Sequence, residues 1–455
     1  MLFASLRKES AMTRCAVHWA LTGVILSLLG CAPAVTGWRH FHGDLRGQGF
    51  LNVKSGYAVS PTWKSEPLRI TGSSPVLGRD AAGAEVIYVG TTDATLVAVD
   101  AATGAVRWKR SLGSPGVISS IVSSPTVADD GGILVVSTAD LGGGRLQSWL
   151  HKVDRQGHHR WSQLFPDGGF TTGAPRAFTF AGQPLVLVRM LAGNPGALRS
   201  EVLVMRDAGE WGELAGRKPL GECPGSGLLY SSLLRTWSLL SVFPLPPGVG
   251  PVDLILDPTP ALNTDRSNPL IVAADNLCRL AVLEWDGAKL SVLWQAVHSG
   301  QIHSPPAVLS ANLVVLGRRD GTLLAYDGPT GVKMWQYDAG EPIYSTPSGS
   351  AAGIIFAASA GHLHAVQAGS GEAALPSGTG QRLPISGPTL SSPAVTAECV
   401  YLPAREMLTV SHDFKVRSYN SAFTGNGLSS PAVGSDGSIY VVALDGAIWK
   451  YQGAK

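Results

Sequence analysis

The chain has 455 residues, of which 45% are hydrophobic and only 15% are charged, and its formal net charge is +2. The hydrophobic fraction excludes a disordered protein, and the balanced charge excludes the basic surface that nucleic-acid binding requires. The 55 glycines and 30 prolines favour an all-β protein of many short strands joined by tight turns.

Residues 1–30 are predicted to be a lipoprotein signal peptide. A short positive region at 12–14 precedes an apolar run over 16–29. This run is shorter than the roughly 20 residues that span a bilayer, and it is typical of a secretory signal. It ends in Leu-Leu-Gly before Cys31, a pattern that resembles a lipobox. An ordinary secretory signal with an incidental cysteine is the alternative, and both Met1 and Met12 remain open as start sites.

The lipobox resemblance implies that Cys31 carries the lipid that anchors the mature protein, because two or more acyl chains bind a membrane stably. The next residue is Ala32, whereas enterobacterial lipoproteins that stay in the inner membrane carry aspartate there. The expected location is therefore the outer membrane, facing the periplasm, or the cell membrane if the organism has no outer membrane. Residues 31–60 are predicted to be a tether.

After the tether, a short proline-headed phrase of the type Ser-Ser-Pro recurs along the chain. Copies are about 40 to 50 residues apart in most cases, which is the period of four-stranded propeller blades. Proline suits the first residue of a strand, where no ladder donor is lost. The eight copies, some of them looser, lie at 73–76, 123–126, 172–175, 257–260, 304–307, 345–347, 391–394 and 429–432.

Two of these units carry a longer motif in full. The first contains Ala98-Val99-Asp100-Ala101-Ala102-Thr103-Gly104 followed by Trp108, and the fifth repeats every fixed position up to Trp335. This pattern resembles the tryptophan-docking motif of the pyrroloquinoline-quinone-like β-propeller family. In that family the indole packs between neighbouring blades, which makes it a structural residue that needs no cofactor. The docking tryptophans predicted on this basis are Trp63, Trp108, Trp161, Trp211, Trp294 and Trp335.

The resemblance implies an eight-bladed β-propeller of the quinoprotein alcohol dehydrogenase-like type over residues 61–455. The last unit is one outer strand short, whereas residues 61–64 resemble an outer strand without a blade. Pairing the two would leave no free sheet edge, so we expect an N-terminal strand to close the ring. An extra segment near 219–256 is a long loop, a degenerate blade or a partner-binding flap.

The cysteines argue against catalysis. Quinone-dependent alcohol dehydrogenases of this family stack the quinone under a disulfide between adjacent cysteines and bind calcium with acidic and amide side chains. No two cysteines are adjacent here, so we predict no catalytic residue, no pyrroloquinoline quinone and no calcium. Among Cys223, Cys278 and Cys399 at most one disulfide can form, and a buried free thiol is an equal alternative for Cys399.

The histidines form several pairs along the chain without an acidic or cysteine partner at ligand spacing. These pairs predict surface or channel histidines and no metal site, with His303 beside the channel. They are His40 and His42, His158 and His159, His298 and His303, and His362 and His364.

Together these features predict a monomeric, membrane-anchored, non-catalytic scaffold that binds envelope proteins. The outer-membrane assembly lipoproteins of the BamB type are similar in having a lipid anchor and eight such blades, so β-barrel assembly components are expected partners. The alternatives are a quinone-dependent dehydrogenase and a periplasmic module that binds a sugar or another small ligand.

Overall fold

The computed structural model describes residues 37–452 except for the gaps at 58–59, 71, 115, 195–196, 223–234, 237, 240–257, 277–278, 299–301, 311, 376–381 and 426. The predicted signal peptide and lipidation site at Cys31 lie outside the described residues, as do Cys223 and Cys278. No helix in the described part of the chain is long and apolar enough to cross a membrane.

The described residues form eight antiparallel sheets, each built around four strands, which confirms the predicted eight-bladed propeller. The strands of blades 1 to 4 are β2 (Val76–Arg79), β3 (Glu85–Gly90), β4 (Thr95–Asp100) and β5 (Val106–Ser111); β7 (Thr126–Val127), β8 (Ile133–Asp140), β9 (Leu146–Val153) and β10 (His159–Leu164); β11 (Arg176–Phe180), β12 (Gln183–Asn194), β13 (Ala197–Asp207) and β14 (Gly212–Glu222); and β15 (Ala261–Asn263), β16 (Leu270–Ala274), β17 (Arg279–Trp285) and β18 (Leu290–Val297).

Blades 5 to 8 follow the same order. Their strands are β19 (Ala307–Leu309), β20 (Leu313–Gly317), β21 (Thr322–Asp327) and β22 (Lys333–Asp338); β23 (Ser348–Gly349), β24 (Ile354–Ala358), β25 (His362–Gln367) and β26 (Arg382–Pro384); β27 (Ala394–Val395), β28 (Cys399–Pro403), β29 (Met407–Ser411) and β30 (Arg417–Asn420); and β31 (Ala432–Val433), β32 (Ile439–Val442), β33 (Ile448–Tyr451) and β1 (Pro61–Lys64). A short additional strand, β6 (Ile118–Ser120), pairs with β8 in blade 2.

The central strands are apolar on both faces because each blade is packed between two others. In β3, Ile87 and Val89 belong to the core shared with blade 8, whereas Val86 and Tyr88 belong to the core shared with blade 2. Side chains alternate between the two faces of a strand. A continuous apolar run therefore supplies two separate interblade cores.

The ring is closed by the N-terminal strand, as predicted. β1 pairs antiparallel with β33, so that Pro61 lies opposite Tyr451 and Lys64 lies opposite Trp449. The first strands of most neighbouring blades contact one another, whereas few of the fourth strands do. The first strands are accordingly the innermost, and the proline-headed phrases that precede them surround the central channel.

Blade 3 differs from the prediction at its outer edge. We predicted an extra segment near 219–256, but β14 continues to Glu222. Its residues stay paired with β13 as far as Arg199 opposite Glu222. This longer ladder moves the start of the extra segment beyond 222, and most of that segment lies outside the described residues.

Candidate functional site

Hydroxyl groups around the channel connect neighbouring blades. The backbone amide of Ser74 donates to Ser124 Oγ at 2.9 Å, and the amide of Ser430 donates to Ser74 Oγ at 2.8 Å. In the same way, the amide of Thr346 donates to Ser392 Oγ and the amide of Ser392 donates to Ser430 Oγ, each at 2.9 Å. The second serine of the phrase is thus an interblade hydrogen-bond acceptor, a role that we did not predict from the repeat.

An extended segment, residues 38–55, lies across one end of the channel and is called the strap below. It contacts the first strands of the blades in ring order. In six blades, the amide of the second residue of the first strand donates to a strap carbonyl at 2.7–2.9 Å. The pairs are Leu77 with Trp38, Val127 with Arg39, Leu262 with Leu45, Val308 with Arg46, Gly349 with Gln48, and Val395 with Gly49.

The strap satisfies the inner strand edges, which would otherwise present unpaired backbone groups. The prediction of a tether over residues 31–60 is therefore wrong for residues 38–55, which belong to the propeller body. The segment reads as a tether because it is rich in glycine and polar residues and has no strand periodicity. Its hydrogen bonds depend on the curvature of the ring, which is a tertiary feature.

Blade 3 holds the strap through a side chain instead of a backbone amide. Arg176 has no exposed surface, and its guanidinium donates to the carbonyls of Phe41 and Asp44, both at 2.7 Å, and to the carbonyl of Pro260 at 2.9 Å. Burial lowers the pKa of Arg176 to about 10, so the side chain stays charged at neutral pH. Burial also raises the pKa of the Asp44 carboxyl, an effect that Gln48 and Arg176 partly oppose.

His42 occupies the centre of the strap and is fully buried. Its Nδ1 lies 2.8 Å from the Gly47 carbonyl, and its Nε2 lies 3.0 Å from both Ser348 Oγ and the Pro393 carbonyl. Burial lowers the pKa of His42 to about 4. The neutral ring therefore fixes the strap against blades 6 and 7.

A cavity with an empty volume of about 600 Å³ lies on the channel axis beside the strap. Phe41, His303 and Tyr344 contribute rings to its wall, and Ser124 and Ser392 contribute hydroxyl-bearing side chains. The placement of His303 agrees with the prediction, and burial lowers its pKa to about 4.

The lining of this cavity does not fit the quinone and calcium site of the dehydrogenases. Among the described residues that form its wall there is no carboxylate, carboxamide or cysteine. Calcium requires several oxygen ligands, commonly with carboxylates among them. In the described part of the chain, no three histidine, cysteine, aspartate or glutamate side chains come together as possible metal ligands.

Five of the six predicted docking tryptophans lie at blade joints. Each indole covers a glycine in the next blade or its turn, where an added Cβ would lie 2.6–2.9 Å from an indole carbon. The pairs are Trp63 with Gly104, Trp108 with Gly157, Trp161 with Gly212, Trp294 with Gly331, and Trp335 with Gly371. The indole N–H groups of Trp108 and Trp335 donate to the carbonyls of Arg155 and Ala368, at 3.0 and 2.8 Å.

The prediction for Trp211 is wrong. This residue lies in the turn before β14 and is 59% exposed. At the joint between blades 3 and 4, Trp285 of blade 4 covers Gly216 of β14 and is 1% exposed. The indole that fills this joint therefore comes from the following blade, and Trp211 is left on the surface.

The other described histidines range from buried to exposed, whereas the described cysteine is buried. His364 contacts Ser359 Oγ and Tyr337 Oη, each at 3.1 Å, and burial lowers its pKa to about 4. His362 Nδ1 lies 2.9 Å from Glu341 Oε1, so this histidine has an acidic partner that spacing in the sequence did not reveal. Cys399 is a buried free thiol, and burial raises its pKa to about 11.

Large apolar side chains are exposed along the outer edges of three consecutive blades. Their exposed fractions range from 40% to 69%, and they alternate with polar residues on or next to the fourth strands. They are Trp211 and Leu214 in blade 3, Leu293 and Val297 in blade 4, and Val332 and Met334 in blade 5. Leu164 in blade 2 and Val416 and Tyr419 in blade 7 are exposed in the same way.

Comparison with known families identifies the repeat. A family model described as outer membrane protein assembly factor BamB matches residues 52–198 and 279–401, which together are more than half of the chain. The chain belongs to this family. No curated protein matches the sequence.

Solved structures agree with the BamB-family fold. BamB from Moraxella catarrhalis is 13% identical, with a TM-score of 0.56 over 87% of this chain and 99% of that chain. A europium-containing methanol dehydrogenase is 12% identical, with a TM-score of 0.61 over 90% of this chain and 89% of that chain. The quinohemoprotein alcohol dehydrogenase from Comamonas testosteroni is 13% identical, with a TM-score of 0.60 over 92% and 81%. At these identities the likeness concerns the fold alone.

Proposed function

We propose that this protein is a non-catalytic scaffold of the cell envelope, anchored by lipid on Cys31, that binds other proteins and takes part in outer-membrane protein assembly. Membership of the BamB family supports a protein-binding role. The apolar run before Cys31 supports the anchor, and Ala32 supports the outer membrane as its location.

The strap is the observation that carries this proposal. Six inner strands give a backbone donor to the strap. Arg176 likewise directs its guanidinium to backbone carbonyls. Groups that are engaged in internal hydrogen bonds are not available to a substrate. We therefore interpret the strap as a structural element that closes this end of the channel.

The outer edges of blades 3 to 5 supply the surface for a partner. Apolar side chains in contiguous exposed patches are characteristic of protein interaction sites, and aromatic and methionine side chains are enriched there. Trp211 and Met334 are 59% and 54% exposed. We assign the partner-binding surface to this edge.

Site-specific photocrosslinking in the native envelope tests the proposal. A photoreactive residue at Leu214, Val297 or Met334 is expected to capture β-barrel assembly components. The matched control is the same residue at Lys109, whose side chain is 52% exposed on the outer strand of blade 1. Equal capture at both edges, or capture of no envelope protein, would contradict the scaffold role.

The anchor is tested separately. Replacement of Cys31 by serine is expected to abolish incorporation of labelled fatty acid and to release the protein from the membrane fraction. Incorporation that persists in Cys31→Ser would contradict lipidation at this residue.

A second candidate function is supported by the axial cavity. Its lining of hydroxyl-bearing and aromatic side chains suits an uncharged polar molecule such as a sugar. A sugar panel measured by calorimetry tests this alternative. Dye-linked alcohol oxidation after addition of pyrroloquinoline quinone and calcium tests the dehydrogenase alternative, for which we expect no activity.

A further inference from the structure

Two imidazole rings converge on one hydroxyl group at the outer edge of blade 2. His151 Nδ1, on β9, lies 2.6 Å from Ser162 Oγ, and His159 Nε2, on β10, lies 2.7 Å from the same oxygen. The ring centroids are 6.2 Å apart, with the rings edge to face. Ser162 and His159 are exposed, whereas His151 is 5% exposed.

The strand geometry explains this convergence. Ser162 lies directly opposite His151 in the antiparallel pair of β9 and β10, so both side chains are on one face. His159 and Ser162 are three residues apart and would point to opposite faces of a regular strand. The register shifts between His159 and Trp161, and such a bulge brings His159 to the face of Ser162.

Ser137 contacts the second ring nitrogen of His151. His151 Nε2 lies 2.7 Å from Ser137 Oγ. When Nε2 carries the proton and donates it to Ser137, the lone pair of Nδ1 points at Ser162. Histidine ligands of metal ions are commonly oriented through the second ring nitrogen in this way.

We propose that His151 Nδ1, His159 Nε2 and Ser162 Oγ form a binding site for a zinc-like divalent cation, with solvent completing the coordination. Imidazole nitrogen binds zinc at about 2.0–2.1 Å, which places the ligands of a tetrahedral ion about 3.3 Å apart. Both nitrogens therefore have to move away from Ser162 Oγ by roughly 0.6 Å to admit the ion. The three protein ligands leave one tetrahedral position open. The site is independent of the scaffold function proposed above.

The sequence did not indicate this site because it pairs His159 with the adjacent His158. The structure separates these two residues. His158 is in the turn before β10, where its Nδ1 lies 3.1 Å from Asp154 Oδ2, and its side chain is 69% exposed. His158 is therefore a matched control of the same residue type, next in the chain and directed elsewhere.

Zinc chloride titration of the tag-free, chelator-treated protein, followed by calorimetry, tests the proposal. We expect one zinc ion per chain, with binding weakened about 10-fold or more in His159→Ala and unchanged in His158→Ala. Ser162→Cys is expected to tighten binding, because a thiolate is a better zinc ligand than a hydroxyl.

Copper(II) titration followed by electron paramagnetic resonance gives a readout that does not depend on affinity. The spectrum of the unaltered protein is expected to show two coordinating nitrogens, and that of His159→Ala one. Zinc binding that is equal in His159→Ala and His158→Ala would place the cation elsewhere, for example on cysteines, and would overturn the proposal. The absence of stoichiometric zinc binding by the unaltered protein would also overturn it.

Discussion

The guanidinium of Arg176, at the start of β11, donates a hydrogen bond to the carbonyl of Phe41 in the strap across 2.7 Å. The two residues are 135 positions apart in the chain. This contact connects the N-terminal segment to blade 3, and its loss removes a donor from the Phe41 carbonyl.

Replacement of Arg176 by methionine should therefore destabilise the protein. The carbonyls of Phe41 and Pro260 would lose the guanidinium donor, and the carbonyl of Asp44 would keep only the Gly47 amide. Unsatisfied buried groups cost about 1–3 kcal/mol each, partly offset by removal of a buried charge. We expect the free energy of unfolding in urea to fall by about 2–4 kcal/mol. Trypsin should then cleave the strap at Arg39 or Arg46 in the native protein.

The control for this variant is Arg206→Met in the same blade. The Arg206 side chain is 38% exposed and pairs with Glu213 at 2.9 Å, and such surface pairs contribute about 0–1 kcal/mol. Equal stability and equal strap cleavage in the two variants would show that Arg176 does not hold the strap.

The indole contacts predict a difference between two glycines of almost identical backbone conformation. Gly371 has a φ of +72° and Gly353 a φ of +73°, so alanine meets the same backbone strain at both positions. A Cβ at Gly371 would lie 2.6 Å from the Trp335 ring, whereas nothing lies within 4 Å of one at Gly353. Gly371→Ala should cost about 1–3 kcal/mol more than Gly353→Ala. Equal losses in denaturant titration would contradict docking of Trp335 on this glycine.

Truncation of two tryptophans of the repeat should change the stability by very different amounts. Trp335 is 7% exposed at a blade joint, and Trp211 is 59% exposed on the surface. Trp335→Ala should lower the free energy of unfolding by about 3–5 kcal/mol, and Trp211→Ala should change it by about 0.5 kcal/mol or less. The measurement is thermal or urea unfolding of both variants, and a larger loss for Trp211→Ala would place the docking residue of blade 3 where the sequence predicted it.

Acidification should weaken the strap through His42. The pKa of this residue falls from 6.5 to about 4 in the folded protein because the ring is buried, so the unfolded chain takes up the proton first as the pH falls. The contribution of His42 to the free energy of unfolding is complete above pH 6.5. It is lost as the pH falls from 6.5 to 4, which lowers the free energy of unfolding by about 3 kcal/mol.

His42→Asn removes this titration, so its stability should depend less steeply on pH over that interval than that of the unaltered protein. His158→Asn, at an exposed position, is the matched control for the loss of a histidine outside the strap. Parallel curves of unfolding free energy against pH for His42→Asn and the unaltered protein would rule out this role for His42.

The eight-bladed ring followed from the sequence because its signals are local and repeated. A proline-headed phrase, a Thr-Gly turn and a tryptophan four residues later recur along the chain, and the orphan segment around Trp63 indicated how the ring closes. The histidine cluster of blade 2 did not follow, since its convergence depends on strand register and on a bulge. The joint at Trp285 also did not follow, because local motif matching assigned it to Trp211.

The sequence by itself determined the repeat, the number of blades and the strand that closes the ring, because each depends on short-range periodicity. Only the tertiary structure decided that residues 38–55 close one end of the channel. Their hydrogen bonds reach inner strands up to 346 residues away in the chain, as between Gly49 and Val395. The edges of those strands come within hydrogen-bonding distance of the segment only when the blades have assembled into a ring.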